Sequence, residues 1–336
     1  MLKLLSYIRT SFSALYGSMY AKWFLHPQSK RRSKYIWMIL LIVLLVNNSY
    51  KLYADATHAT RKIVVTTSII GDAIEHIVGD SAQVIKLMGP GVDPHAYKAT
   101  PRNVQDLSRA DIIFYNGLHL EGKMADVLAK FSKRKPVFAA SDGIDTAQYL
   151  GDFKYVDGLD PHIWFDVLLW KQAILYMSER LQQLDTLSAA YYQENTEKYV
   201  QQLDELHEKI QKLIQEIPKN QRVLITAHDA FTYFGRAYGI EVRGLQGIST
   251  VEECGLRDIT DLVEFIIKRN IKAIFPENSV PNKPLRAVVE GCKKRGHVVT
   301  LGQELYSDAL GEKDTWPGTY IGMVSMNVQT IVDALK

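Results

Sequence analysis

Between Pro161 and Pro218 the chain contains no glycine and no proline, and that gap constrains the fold more than any other feature. Glycine weakens a helix through its backbone entropy, and proline breaks one through its missing N–H. Within the gap Leu203, Leu206, Ile210, Leu213, Ile214 and Ile217 recur at helical spacing and define one apolar face. The spacing predicts a helix from about Ser188 to Ile217, about 45 Å long at 1.5 Å per residue. A helix of that length exceeds one small lobe and can lie across two, tying them rigidly together.

Strand and helix patterns alternate on both sides of the gap. Upstream, IVVTT (63–67), VIKLM (84–88), DIIFYNG (111–117) and VFAA (137–140) read as strands. Helices are predicted at 69–78, from Pro101 to about Ala110, and from about Glu121 to Phe131. Downstream, RVLIT (222–226), IEVRGL (240–245), KAIFPE (272–277) and HVVTLG (297–302) read as strands, with helices near 229–238, 256–269, 282–294 and 319–335. Such alternation argues for parallel strands joined by crossover helices. The expected fold is α/β: two similar lobes with parallel sheets, 57–184 and 220–336, bridged by one long rigid α-helix over 185–219.

The first 56 residues read as a targeting segment. Lys30-Arg31-Arg32-Ser33-Lys34 precedes Tyr35 to Val46, twelve residues without a charge. A membrane span needs about 20 residues, so the run suits the apolar core of a secretory signal. Small residues at Ala54 and Ala56 offer cleavage points, with an uncleaved anchor as the alternative. The expected location is the periplasm. Neither cysteine, Cys254 nor Cys292, follows the apolar run, so no lipid-modified cysteine is expected at the mature N-terminus. An oxidising compartment permits a disulfide between them, but the spacing does not demand one.

The formal charge of +3 misleads about the body of the chain. Setting aside the eight basic residues and one acid of residues 1–56 leaves 32 basic residues against 36 acids, a net charge of −4. A nucleic-acid partner is therefore not expected, since phosphate binding needs the opposite balance.

Four residues stand where open α/β sheets collect ligands, at or just beyond predicted strand ends and turns. His95 lies in GVDPHAY, His162 in GLDPHIWFD, His228 in TAHDAF and Asp308 in LYSDALG. Three imidazoles and a carboxylate form a ligand set for a divalent transition metal. The tripeptide Asp-Pro-His occurs twice, around His95 and around His162, and proline there fixes a backbone that must aim a side chain. His228 ends a strand and is expected to open the next helix, with Asp229 offsetting the unfavourable dipole at that end. The four divide evenly between the lobes, and pockets commonly form at such interfaces. His119 in NGLHLEG is a weaker candidate ligand, and Glu277 in FPENS a candidate buttress for a histidine or a fifth ligand.

At these residues the chain resembles the TroA-like metal-binding receptors of ABC transporters. The segments GVDPHAY, YNGLHLEGKM, DPHIWFD, VLITAHDAFTYFGRAYG, GLQGIST, LYSDALG and GTYIGMV carry the resemblance, which runs from about Lys62 to Lys336. It implies a periplasmic solute-binding protein that captures Zn2+ or Mn2+, with Fe2+ a further cargo, for a membrane permease. The family's ligand order falls on His95, His162, His228 and Asp308; the third position is histidine here, where other members carry glutamate. Zinc-dedicated members often carry a histidine-rich acidic loop between the first two ligands, and residues 120–160 contain no histidine. The resemblance also implies release by small lobe tilts and not by wide hinge closure.

Nitrogen-rich coordination favours zinc over manganese in raw affinity. One Asp308 oxygen would complete a tetrahedral zinc shell; two would make manganese more plausible. No catalysis is expected, and the chain is expected to be a monomer. The competing class is a secreted metallohydrolase, which needs a position left open for water, whereas four converging side chains close it. A receptor for haem or a siderophore would want an aromatic or arginine-lined cleft in place of converging histidines.

Overall fold

The computed structural model describes residues 61–151, 158–252 and 254–336, together with Leu41. The expected targeting segment, 1–56, lies outside the described residues apart from Leu41. Among the described residues no helix is long and apolar enough to cross a membrane.

The first sheet contains β1 (Arg61–Val65), β2 (Ala82–Lys86), β3 (Ile112–Tyr115) and β4 (Val137–Ala139), all parallel, in the order β2-β1-β3-β4. Successive side chains point to opposite faces of a strand. Ile63, Val65, Ile112 and Phe114 accordingly join one buried cluster, while Val64 and Ile113 join another. Both faces are thus apolar, and α1 (Ser68–Val78), α2 (Pro101–Arg109) and α3 (Ala125–Ser132) supply the crossovers.

The stretch free of glycine and proline folds as two helices, α4 (Val167–Leu184) and α5 (Ala189–Gln215). Asp166 caps the start of α4, its Oδ1 accepting from the amides of Leu168 and Leu169. The break between them needs no helix breaker: Asp185 leaves helical geometry, and the Ser188 amide closes a turn on the Asp185 carbonyl. At 1.5 Å per residue α5 is about 40 Å long, close to the expected length. It packs against α4 and α1, and also against α6 (Thr232–Tyr238) and α9 (Tyr320–Leu335) of the second lobe. A buried polar knot fixes this junction. The Asp72 carboxylate of α1 accepts from the Tyr199 hydroxyl of α5 at 2.9 Å and from the Tyr320 amide of α9 at 3.2 Å.

In the second lobe β5 (Val223–Thr226) pairs with β6 (Glu241–Gly244), and β7 (Ala273–Ile274) with β8 (Thr300–Leu301), again in parallel. The Phe275 amide donates to the Ile225 carbonyl at 2.8 Å and joins the two pairs. The resulting order β6-β5-β7-β8 repeats that of the first sheet. Helices α7 (Leu256–Arg269) and α8 (Lys283–Lys294) pack on it around Ile266, Val288 and buried Cys292, with Cys254 half-buried against the same cluster. The strands expected over 272–277 and 297–302 shrink to two residues each, since Pro276 has no N–H to give a ladder. Helix α6 starts at Thr232, so His228 does not open it and the dipole argument at that residue falls away. Asp229 instead accepts from the Thr232 hydroxyl at 2.8 Å.

Candidate metal centre

The two Asp-Pro-His segments fold alike for a simple reason. Proline has no N–H, so each aspartate's Oδ1 skips it and accepts the histidine amide, at 2.9 Å for His95 on Asp93 and 2.9 Å for His162 on Asp160. This is an Asx-type turn with its centre fixed by proline. The two aspartates then diverge. Asp160 Oδ1 also meets His162 Nδ1 at 2.7 Å, while Asp93 Oδ2 accepts the Thr250 hydroxyl of the second lobe at 2.6 Å.

His228 receives the same two-point grip from a distant residue. Glu277 Oε1 accepts the His228 amide at 2.8 Å, and Oε2 forms an ion pair with His228 Nδ1 at 2.5 Å. Glu277 is therefore the buttress expected from its place at a strand end. It stands outside the group of four donors, as does His119, which is exposed and holds a positive φ of 66°. With Nδ1 of both His162 and His228 turned to carboxylates, each ring presents Nε2 to the centre.

Asp308 is held by its neighbours. The Asn278 side chain accepts from the Ser307 amide and donates to the Ala309 carbonyl, at 3.1 Å each. From the first lobe, the Trp164 indole N–H donates to the Ser307 carbonyl at 3.1 Å, and the Ser68 hydroxyl accepts the Leu310 amide at 3.0 Å. Trp164, two positions from His162, and Ser68 at the start of α1 thus lock the loop that carries Asp308.

The structure brings His95, His162, His228 and Asp308 together, their donor atoms all within 4.8 Å of one another. Exposure is 5%, 0%, 0% and 1%, so the cluster is closed to bulk water. His95 Nε2 lies 3.2 Å from His162 Nε2, and His228 Nε2 lies 3.3 Å from it. Asp308 Oδ1 is 3.4 Å from His162 Nε2, and Oδ2 is 3.4 Å from His228 Nε2. A tetrahedron with metal–nitrogen bonds of about 2.05 Å has edges of about 3.3 Å. The His95–His162 and His162–His228 separations match such an edge, and both Asp308 oxygens face the same centre, so the donor set suits a small divalent ion. Asp308 Oδ1 is buried with no hydrogen-bond partner, an arrangement that is costly unless a cation or proton meets it.

Burial and charge act on the four in opposite ways. Burial pushes His95 down to about 3, keeping it neutral. Burial also opposes charge on His162, but the Asp160 hydrogen bond and charge, with Asp308, outweigh it and raise it to about 9. His228 is likewise raised well above its ordinary value, burial being overcome by Glu277 and Asp308. Burial would raise Asp308, yet His228 and His162 hold it well below the usual carboxylate range. The centre is thus built for positive charge, supplied by protons when no metal is bound.

Sequence reasoning passed over Asp160, Asn278, Ser279 and Trp164. The repeated Asp-Pro-His was the available signal for Asp160. Nothing local marks the others, which act through chain-distant contacts.

Comparison with known proteins agrees with this geometry. The periplasmic zinc-uptake complex component A family matches residues 63–334, and the chain belongs to it. Manganese-binding lipoprotein MntA of Bacillus subtilis (strain 168) is 46% identical over 277 residues, 82% of this chain and 90% of that protein. Zinc-binding protein TroA of Treponema pallidum (strain Nichols) is 45% identical over 282 residues, 84% of this chain and 91% of that one. The solved structure of the periplasmic zinc-binding TroA of Treponema pallidum superimposes with a TM-score of 0.81 at 44% identity, covering 82% of this chain and 99% of that one.

Proposed function

We propose that this protein is the extracytoplasmic substrate-binding component of a metal ABC transporter, carrying one Zn2+ or Mn2+ ion as cargo to a membrane permease. His95, His162, His228 and Asp308 are the ligands, and Asp160 and Glu277 orient two of them. The observation that carries the reading is the convergence of four buried residues, two from each lobe, whose donor atoms all lie within 4.8 Å of one another. Relatives of nearly equal similarity bear manganese-binding and zinc-binding names, which supports the cargo class and leaves the two metals in competition. A hydrolase would need an open position for water; Asp308 fills the fourth.

Elemental analysis of the purified chain, supplied with both metals and then dialysed, tests this. About one tightly held ion per chain is expected, lost in the His95→Ala/His228→Ala double variant. A chain that cannot be loaded with either metal overturns the reading.

A further inference from the structure

The four donors are not held alike. Glu277 grips His228 at two points. Asn278 brackets Asp308 through the residues on either side of it, and the Ser279 hydroxyl donates to Asp308 Oδ2 at 3.2 Å. The segment that carries His162 is joined to the second lobe by buried bonds. The Tyr233 hydroxyl accepts the Leu150 amide at 3.0 Å and donates to the Asp160 carbonyl at 3.1 Å, while the Tyr320 hydroxyl donates to the Trp164 carbonyl at 2.7 Å.

His95 is the exception. It rides on residues 87–100, a segment without helix or strand. It keeps the largest exposure of the four, and among the described residues no carboxylate pairs with its ring as Asp160 and Glu277 pair with the others. Among the described residues a single hydrogen bond ties this segment to the second lobe, from the Thr250 hydroxyl to Asp93 Oδ2 at 2.6 Å. The other oxygen of the same carboxylate, Oδ1, accepts the His95 amide at 2.9 Å. Fixing Oδ2 fixes the plane of the carboxylate, so the bond that spans the lobes also holds the backbone of His95.

We propose that the Asp93–Thr250 bond is a latch on the metal site: cargo enters and leaves on the His95 side, and this bond must break to let it pass. The proposal rests on the reading of the four residues as a cargo site. A cluster closed to bulk water exchanges an ion only when some part of it opens. Opening at His162, His228 or Asp308 strands buried donors and acceptors, which is costly. Asp93 and Thr250 are each half-buried, so both return to water as the His95 segment lifts. Neither side chain belongs to the donor set. The latch therefore closes over the loaded and the empty site alike, and sets the rate of passage without setting affinity.

The test compares the native chain with Thr250→Val, which keeps the shape and loses the hydroxyl, and with Thr250→Ser, which keeps the hydroxyl. Zinc association and dissociation rates are read by stopped flow against a chelating dye. In Thr250→Val both rates rise by about tenfold, about 1.4 kcal/mol, while the dissociation constant stays within about threefold of native. Thr250→Ala, a second route to the same loss, behaves as Thr250→Val does, and Thr250→Ser keeps the native rates. Unchanged rates in Thr250→Val and Thr250→Ala overturn the proposal. So does faster dissociation alone, which would make the bond a support for the bound ligand and not a gate. An equal acceleration in Thr250→Ser also overturns it, by assigning the effect to packing. A native chain that binds no zinc defeats the cargo-site reading itself, a result distinct from intact binding at unchanged rates.

Discussion

Metal loading should expel about two protons per ion at pH 7.5, and the number follows from the buried charges. Three carboxylates, Asp160, Glu277 and Asp308, contact the imidazoles of His162 and His228. With both rings neutral, three negative charges would stand in a closed interior, which is very costly. With His162 raised to about 9 and His228 raised well above its ordinary value, both are imidazolium at pH 7.5, and one net negative charge remains. His95, pushed down to about 3 by burial, contributes no proton. A dication that displaces two protons leaves the buried charge unchanged, so the exchange carries no further desolvation penalty. Ligand histidines must be neutral to bind, and the sign is then fixed: affinity rises with pH. Two protons give about a hundredfold gain per pH unit near pH 7, falling toward tenfold per unit above about pH 9 once His162 is neutral. Calorimetric titration in non-coordinating buffers of different ionisation enthalpy reads the proton count as a slope. A slope below one proton per metal, or a flat affinity between pH 6 and 8, would refute the charge reasoning.

Replacing the carboxylate behind His228 should weaken binding, even though it also relieves proton competition. A dication feels the lost charge twice as strongly as a proton does, so Glu277→Gln should lower affinity by about 10–100-fold and reduce proton release by about one. Titration of the variant beside the native chain checks both, and native affinity would remove Glu277 from the binding machinery. The same groups set the stability of the metal-free fold. His162 titrates higher when folded than the unfolded value of about 6.5, so its contribution is complete below about pH 6.5 and is lost as pH rises through about 9. Buried neutral His95 works the other way, its contribution present above about pH 6.5 and lost as pH falls toward 3. The melting temperature with chelator present should therefore peak near pH 6.5, and saturating metal should remove the alkaline decline; a metal-free melting temperature still rising from pH 7 to 9 would contradict the assignment.

The sequence alone determined the parts of this protein that depend on local pattern. β-branched runs such as Ile63-Val64-Val65 and Ile112-Ile113 are apolar on both faces, and that requires a covered parallel strand. The absence of glycine and proline from 162 to 217 left nothing to stop α5 short of its bridging length, although Asp185 and Ser188 split the stretch in two by turn chemistry that periodicity does not reveal. Asp-Pro-His twice over announced two aimed histidines, because a proline between an aspartate and a histidine leaves the carboxylate one nearby amide to accept. Tertiary structure decided what those side chains meet. That Asp160 turns to its own histidine while Asp93 crosses to Thr250 depends on which groups the folded lobes bring near each carboxylate. That Glu277, 49 residues away in sequence, rather than Asp229 serves His228 depends on β5 and β7 lying side by side. The seat of Asp308 arises where Asn278, Ser279 and Trp164 converge on its loop from chain-distant segments. Such contacts have no sequence period, since their geometry exists only after the chain has closed.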